Sequence, residues 1–276
     1  MKIIADSSAL CTPFEGKEMG VTIIPANVII NGKSYRDYEE IQSDDFLRYV
    51  KEGATPTSSQ PAIGDVIEAF EGTEEEILFI SIGDGLSGTY QNAVGAKNSI
   101  ENNSHIHVID TKTLAGPLHY LVLKAVKLRD EGFDIETIKQ SLQSSIETSE
   151  SYVIPIDLDF LKRSGRLTPI AARIGNLIKI VPVLTQTSDK KRIKPFVIKR
   201  SRKKAVDAII THFQEIGVDE HYIISVAHAG VQEEAETVKE QIGQHFPDTT
   251  IELFHLCPAL MTHGGPGCIT IHVIKK

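Results

Sequence analysis

Residues 77–92 read ILFISIGDGLSGTYQN. Ile77–Ile82 is a short apolar run rich in Ile, with Phe79 inside it, and predicts a buried strand. Ser87 leading into Thr89-Tyr90-Gln91-Asn92-Ala93 predicts a helix start with a hydroxyl in the capping position. Between them Gly83, Gly85 and Gly88 allow a tight turn with space beside the backbone. A strand–turn–helix of this kind aims free backbone N–H groups, and the positive end of the helix dipole, at whatever lies above the sheet. That is an anion site in outline.

Working outward, Lys2–Ala5 is a short apolar strand running into Asp6-Ser7-Ser8, acidic and hydroxyl residues of the kind found at the carboxyl edge of a parallel sheet. Gly20–Ile30 is extended and broken by Pro25, and Asn31-Gly32 is a hairpin turn signal. Ser43–Glu52 predicts a short helix with Ser43 as its cap. Thr55–Ser59 carries four hydroxyls in five residues, positioned to cap a following helix or to donate to an anion beside Ser87. His105–Asp110 predicts a further strand, and Ala115–Asp130 and Ile135–Ile146 are helical in pattern. This alternation predicts a parallel α/β sheet.

After about residue 150 the pattern changes. Ser151–Ile156 predicts a strand, Asp157–Lys162 a helix start that Gly165 interrupts, and Pro182–Gln186 with Arg192–Arg200 an antiparallel hairpin. Helices over Ser201–Glu215 and Glu233–His245, strands over Tyr222–Ala227 and Thr250–His255, and a final strand after Gly265-Pro266-Gly267 complete a mixed α+β region. The expected fold is therefore α/β in two domains: residues 1–150 with a parallel sheet sandwiched by helices, and residues 151–276 with a mixed sheet.

The bulk numbers narrow the function. The 276-residue chain is 41% hydrophobic and 24% charged with a formal charge of −8, which argues against nucleic acid as the main partner and gives no reason to expect an acidic membrane surface. Three cysteines, Cys11, Cys257 and Cys268, occur without a C-x-x-C; this fits buried thiols in a reducing cytoplasm. The N-terminal MKIIADSSAL lacks a signal-peptide core, and no stretch approaches a membrane span of about 20 apolar residues. The basic run Lys190–Lys204 has nine Lys or Arg in fifteen residues but only Phe196 as an aromatic, which suits a solvated face better than nucleic-acid binding.

Three chemistries compete for the glycine turn. Gly83, Gly85 and Gly88 match G-x-G-x-x-G with Asp110 at the next strand's end, the spacing of a dinucleotide site, although Asp84 puts a carboxylate where a pyrophosphate would lie. Ser87 with His263 or His228 would make a serine hydrolase, although G-L-S-G-T is not the nucleophile-elbow pattern. With no H-E-x-x-H, no Cys/His cluster and no phosphate loop, a metal site or a kinase acting alone is disfavoured.

The third chemistry rests on a resemblance. Asp6-Ser7-Ser8, Ser58-Ser59-Gln60-Pro61, Gly85-Leu86-Ser87-Gly88-Thr89-Tyr90-Gln91, Leu161-Lys162-Arg163-Ser164-Gly165-Arg166 and Thr262-His263-Gly264-Gly265-Pro266-Gly267 stand in the order seen in the DegV family, which the whole chain resembles. The resemblance implies a non-catalytic lipid-binding protein of phospholipid metabolism, with no cofactor. Such a protein holds one long-chain fatty acid between its two domains and presents the carboxylate to a separate, ATP-binding fatty acid kinase subunit.

By the same resemblance Ser58, Ser59, Ser87, Gly88, Thr89, Arg200 and His263 hold the carboxylate, with Arg202 as the competing register for Arg200. Arg166 is expected on the partner-facing surface, with Ser164 standing where the family has glycine. Leu114 onward and Leu167–Leu184 are the expected tail-lining segments, and Pro117 and His119, which depart from the family's small-residue pattern, are expected to reshape the tunnel.

Overall fold

The five residues Ile77–Ser81 are all buried, because in this computed structural model, which describes residues 1–174 and 180–276, the strand lies inside a parallel sheet covered on both faces. Four parallel strands run in the order Val21–Ile24, Lys2–Asp6, Ile77–Ser81, Ile106–Asp110. Phe79 packs edge-on against Phe70 with ring centroids 5.8 Å apart. The chain order reverses between Lys2–Asp6 and Ile77–Ser81, which opens a crevice at their carboxyl ends.

A second, six-stranded sheet runs Ile193–Lys199, Val181–Gln186, Glu150–Ile154, Ile269–Lys275, Tyr222–His228, Thr250–His255. Only the last two are paired in parallel; the other neighbours are antiparallel, giving the expected mixed sheet. A third, small sheet sets Asn27–Ile30 between Lys33–Arg36 and Thr57–Ser59. Its hairpin turns through Asn31 and Gly32 at φ 52° and 81°, the left-handed pair that matches strand twist.

Helices Ala115–Asp130 and Ile135–Ile146 have the expected bounds. Two capping expectations are corrected. The helix Ser43–Lys51 starts after Gln42, whose N–H donates to Asp45, while the Ser43 hydroxyl reaches Leu256 O at 2.8 Å. Thr57–Ser59 caps no helix: its backbone pairs with Asn27–Ile29 instead.

Helices Pro13–Glu18, Pro169–Ala172 and Pro258–Gly264 were not expected. Pro13–Glu18 is set by a reciprocal capping box, Glu15 N–H to Thr12 Oγ1 at 3.2 Å and Thr12 N–H to Glu15 Oε2 at 2.8 Å. Thr12→Ala is therefore expected to lose about 1 kcal/mol of stability, read as a lower urea midpoint at unchanged slope; an unmoved midpoint would mean the box contributes nothing.

The largest apolar cluster takes residues from both sides of position 150, including Ala5, Ile80 and Leu118 with Ala227, Cys257 and Met261. All three cysteines are buried and free. Among the described residues no helix is long and apolar enough to cross a membrane.

Candidate functional site

The crevice is built first by carboxylates. The Asp6 side chain accepts from Ser8 N–H at 3.0 Å, from Ile82 N–H at 2.9 Å and from the Ser8 hydroxyl, tying the ends of the two central strands together. Burial raises its pKa, against the pull of those donors. Asp37, also buried, accepts from Ser7 Oγ at 2.7 Å and from Ala259 N–H at 3.3 Å. Its carboxyl is pushed up to about 6 by burial. Through these bonds Asp37 fixes the helix Pro258–Gly264, which carries Thr262 and His263, against the end of the first strand.

The glycine turn is closed to a dinucleotide. Gly83 donates to Thr113 O at 2.8 Å, and a Cβ there would lie 2.9 Å from the Lys112 backbone. Gly85 has φ +86°, and a Cβ on it would meet Lys191 Cβ at 2.7 Å. Asp110, which the fingerprint would place on a ribose, accepts instead from Asp84 N–H and Lys112 N–H, both at 2.9 Å. Asp84 pairs with Lys191 at 2.9 Å, which lowers its pKa. The nucleotide reading of Gly83, Gly85 and Gly88 fails on space and on the engagement of its acidic residue.

Ser87 and Gly88 line the cavity above this turn. Gly88, rather than Ser87, is the N-cap of the helix Thr89–Asn98. Thr89 lies outside the cavity wall and holds Ser87 from behind, with the two hydroxyl oxygens 2.8 Å apart and Thr89 N–H donating to Ser87 Oγ at 3.2 Å. Across the cavity His263 Nε2 is 3.0 Å from Ser58 Oγ, and Thr262 Oγ1 lies 3.2 Å from the same hydroxyl while bonding Ala259 O at 2.8 Å. Ser59 is exposed at the rim.

The His263 pKa is pushed down to about 4, by burial first and then by the charge of Arg166. Its Nδ1 is sealed and has no partner among the described residues. The imidazole is therefore neutral at pH 7. Because it faces Ser58, it is not paired with Ser87, and the hydrolase arrangement of Ser87 with His263 is not formed. His228 is stacked on His255, with centroids 4.7 Å apart, outside the cavity wall.

The two arginines exchange places relative to expectation. Arg166 turns inward and lines the cavity. Its Nε donates to Leu86 O at 3.0 Å, and Nη1 donates to Ser164 O; burial lowers its pKa. Gly165, at φ +71°, makes the turn that Ser164 was expected to perturb, and the Ser164 hydroxyl bonds back to Leu161 O at 2.6 Å. Arg200 is exposed beyond the edge strand, and neither it nor Arg202 reaches the wall. The strand Ile193–Lys199 ends one residue before Arg200, and Ser201 already caps the following helix.

The cavity encloses about 200 Å³, room for roughly a dozen water-sized groups. Its apolar side includes Leu114, Val153, Leu161, Leu184, Leu256 and Leu260. Of the expected tail segments, Leu114, Ala115 and Leu184 line it; residues 175–179 of the second segment lie outside the described residues. Pro117 and His119 do not line it: His119 Nδ1 sits 2.9 Å from Ala9 O, with its ring 5.0 Å from that of Phe254. Among the described residues no group of three or more His, Cys, Asp or Glu is placed to hold a metal.

A family model described as "Uncharacterised protein, DegV family" matches residues 1–276. The chain belongs to the DegV family. It is 31% identical to a DegV domain-containing protein of Listeria monocytogenes, over 97% of this chain and 95% of the relative. The DegV fold is shared with two solved structures: a DegV family protein from Thermus thermophilus described by its fatty acid binding (TM-score 0.89, 26% identity, 100% and 99% coverage), and DegV of Bacillus subtilis, a fatty acid binding protein (TM-score 0.87, 28% identity, 100% and 99% coverage).

One part of the DegV cavity was missed by sequence reading, a polar patch on the sheet wall formed by Ser151, Gln186, Thr270 and His272. These residues come together only through strand pairing, and the one local signal was a polar residue on the inner side of each strand.

Proposed function

We propose that the chain binds one long-chain fatty acid, without turnover of its own, and presents it to a separate ATP-binding fatty acid kinase in the cytoplasm. The carboxylate lies among Arg166, His263, Ser58 and Ser87, with Gly88 at the helix start; Thr89 holds Ser87 in place from behind, and Ser59 is at the rim. The tail follows the apolar wall between residues 1–150 and 151–276.

One observation carries this reading. Arg166 is the single cationic side chain among the described residues of the wall, and it stands beside a neutral imidazole and two hydroxyls at the mouth of an apolar cavity. A half-buried cation gains from an anion that shares its desolvated side, and each buried CH₂ of a tail contributes roughly 0.8 kcal/mol. The fatty-acid-binding relatives support the same ligand class.

Organic extraction of the purified protein followed by mass spectrometry is expected to release one fatty acid per chain. An empty or nucleotide-loaded protein that also fails to take up added fatty acid would refute the reading. The kinase step is tested by adding an ATP-binding fatty acid kinase subunit, with acyl phosphate expected only when both proteins are present.

The site also sets a pH dependence. A carboxylate beside His263 counters the burial and the Arg166 charge that hold its pKa near 4, so the pKa rises on binding. A group whose pKa rises on binding takes up protons, and affinity then increases as pH falls through the pKa of the complex. Titration calorimetry in two buffers of different ionisation enthalpy between pH 5 and 7 is expected to show proton uptake that His263→Asn removes; uptake unchanged in the variant would assign it elsewhere.

A further inference from the structure

The sheet wall of the cavity carries a row of buried polar side chains that the carboxylate site does not use. His272 pairs with Ser151 across neighbouring strands. Continuing the antiparallel register Val153↔Leu184, Tyr152↔Thr185 sets Gln186 opposite Ser151 on the same face. All three line the cavity and are at least nine-tenths buried.

Their hydrogen bonds fix which atoms remain free. Gln186 Nε2 donates to Lys112 O at 3.0 Å and to Lys190 O at 3.1 Å. Both amide protons are thereby engaged, and the orientation of the amide follows. Its Oε1 is buried with no partner among the described residues.

The Thr270 hydroxyl lies 2.9 Å from His272 Nε2. Ser151 Oγ lies 2.8 Å from His272 Nδ1, so the two ring nitrogens engage both hydroxyls, one as donor and one as acceptor. Burial pushes the His272 pKa down to about 3, consistent with a neutral ring. With either tautomer Ser151 Oγ keeps a free lone pair.

The wall thus presents an unpartnered acceptor, Gln186 Oε1, with the Ser151 hydroxyl beside it in the strand register. A buried acceptor left unpaired is unfavourable, and the group that satisfies it must bring an O–H. A carbonyl, an ether or a double bond would not. We propose that this cavity is built for an acyl chain bearing a hydroxyl, a hydroxy fatty acid, whose O–H donates to Gln186 Oε1 while its oxygen lies beside the Ser151 hydroxyl. The inference rests on the fatty-acid reading above and specifies its ligand.

The test is competition binding of stearic acid against a series of hydroxystearic acids with the hydroxyl moved along the chain, on delipidated protein. One positional isomer is expected to bind the wild type about tenfold or more tightly than stearic acid. Gln186→Met and Ser151→Ala are expected to level that preference while retaining stearic acid; either variant suffices if the other does not fold. Stearic acid binding as tightly as every isomer, with a water filling the acceptors, overturns the hydroxyl assignment and leaves fatty-acid binding standing. A preference that survives both variants overturns it too, by placing the hydroxyl elsewhere. Binding of no fatty acid at all overturns both readings.

Discussion

Gly116→Ala is expected to lower stability by about 3 kcal/mol or more, the upper range for overpacking a closed interface. Gly116 opens the helix Ala115–Asp130 where it presses on the six-stranded sheet. A Cβ there would lie 1.8 Å from Ser225 Oγ and 2.4 Å from Ser225 Cβ. Rotating the serine relieves the first contact but not the second, because Cβ belongs to the strand. The helix must lift, and Leu118, Leu121 and Val122, all buried in the shared core, lift with it. The gain of about 1 kcal/mol from alanine's helix propensity does not offset this. The expected fall in melting temperature is on the order of 5–10 °C. Gly116→Ala combined with Ser225→Gly is expected to recover most of it, since the clashing atoms are gone. A single variant melting within a degree of wild type would mean the helix has room to move.

Arg166→Met is expected to weaken fatty-acid binding roughly 100-fold, the scale for truncating one partner of a buried hydrogen-bonded ion pair. Arg200→Met is expected to change it less than about twofold, as an exposed charge does. Arg166→Lys tests the fork: a lysine keeps the charge but cannot hold Leu86 O and Ser164 O while facing a carboxylate, so it is expected to fall between the two. Displacement of a fluorescent fatty acid from the three variants gives the order directly. The reverse order, with Arg200→Met the weaker binder, would return the head-group role to the edge strand.

That exchange of arginines shows where sequence reading stopped. The strand, turn and helix of residues 77–98 were legible because local patterning and glycine chemistry agree there. Ala115–Asp130 and Ile135–Ile146 were legible because several turns of apolar periodicity accumulate. Pro258–Gly264 runs less than two turns, too short for periodicity to build, and only its proline at the first position signals it. Thr57–Ser59 has the composition of a cap, but pairing with Asn27–Ile29 prevails over it. Which way Arg166 and Arg200 point depends on how a turn at Gly165 closes and on which strand is the edge. The row Gln186, Ser151, His272 depends on register across three strands, and no single segment contains it.

The apolar cluster that draws on Ala5 and Ile80 as well as Ala227 and Met261, reinforced by Ser43 on Leu256 and Asp37 on Ala259, bears on time rather than affinity. Swinging the two halves apart like a clamshell would expose that cluster to water at roughly 25 cal/mol per Å². A bound fatty acid would then leave by a smaller local parting, and the Arg166–Leu86 hydrogen bond is a contact at the cavity that such a parting would break. Exchange limited by such a parting would be slow beside diffusion, and residence time would outlast the encounter that loaded the molecule.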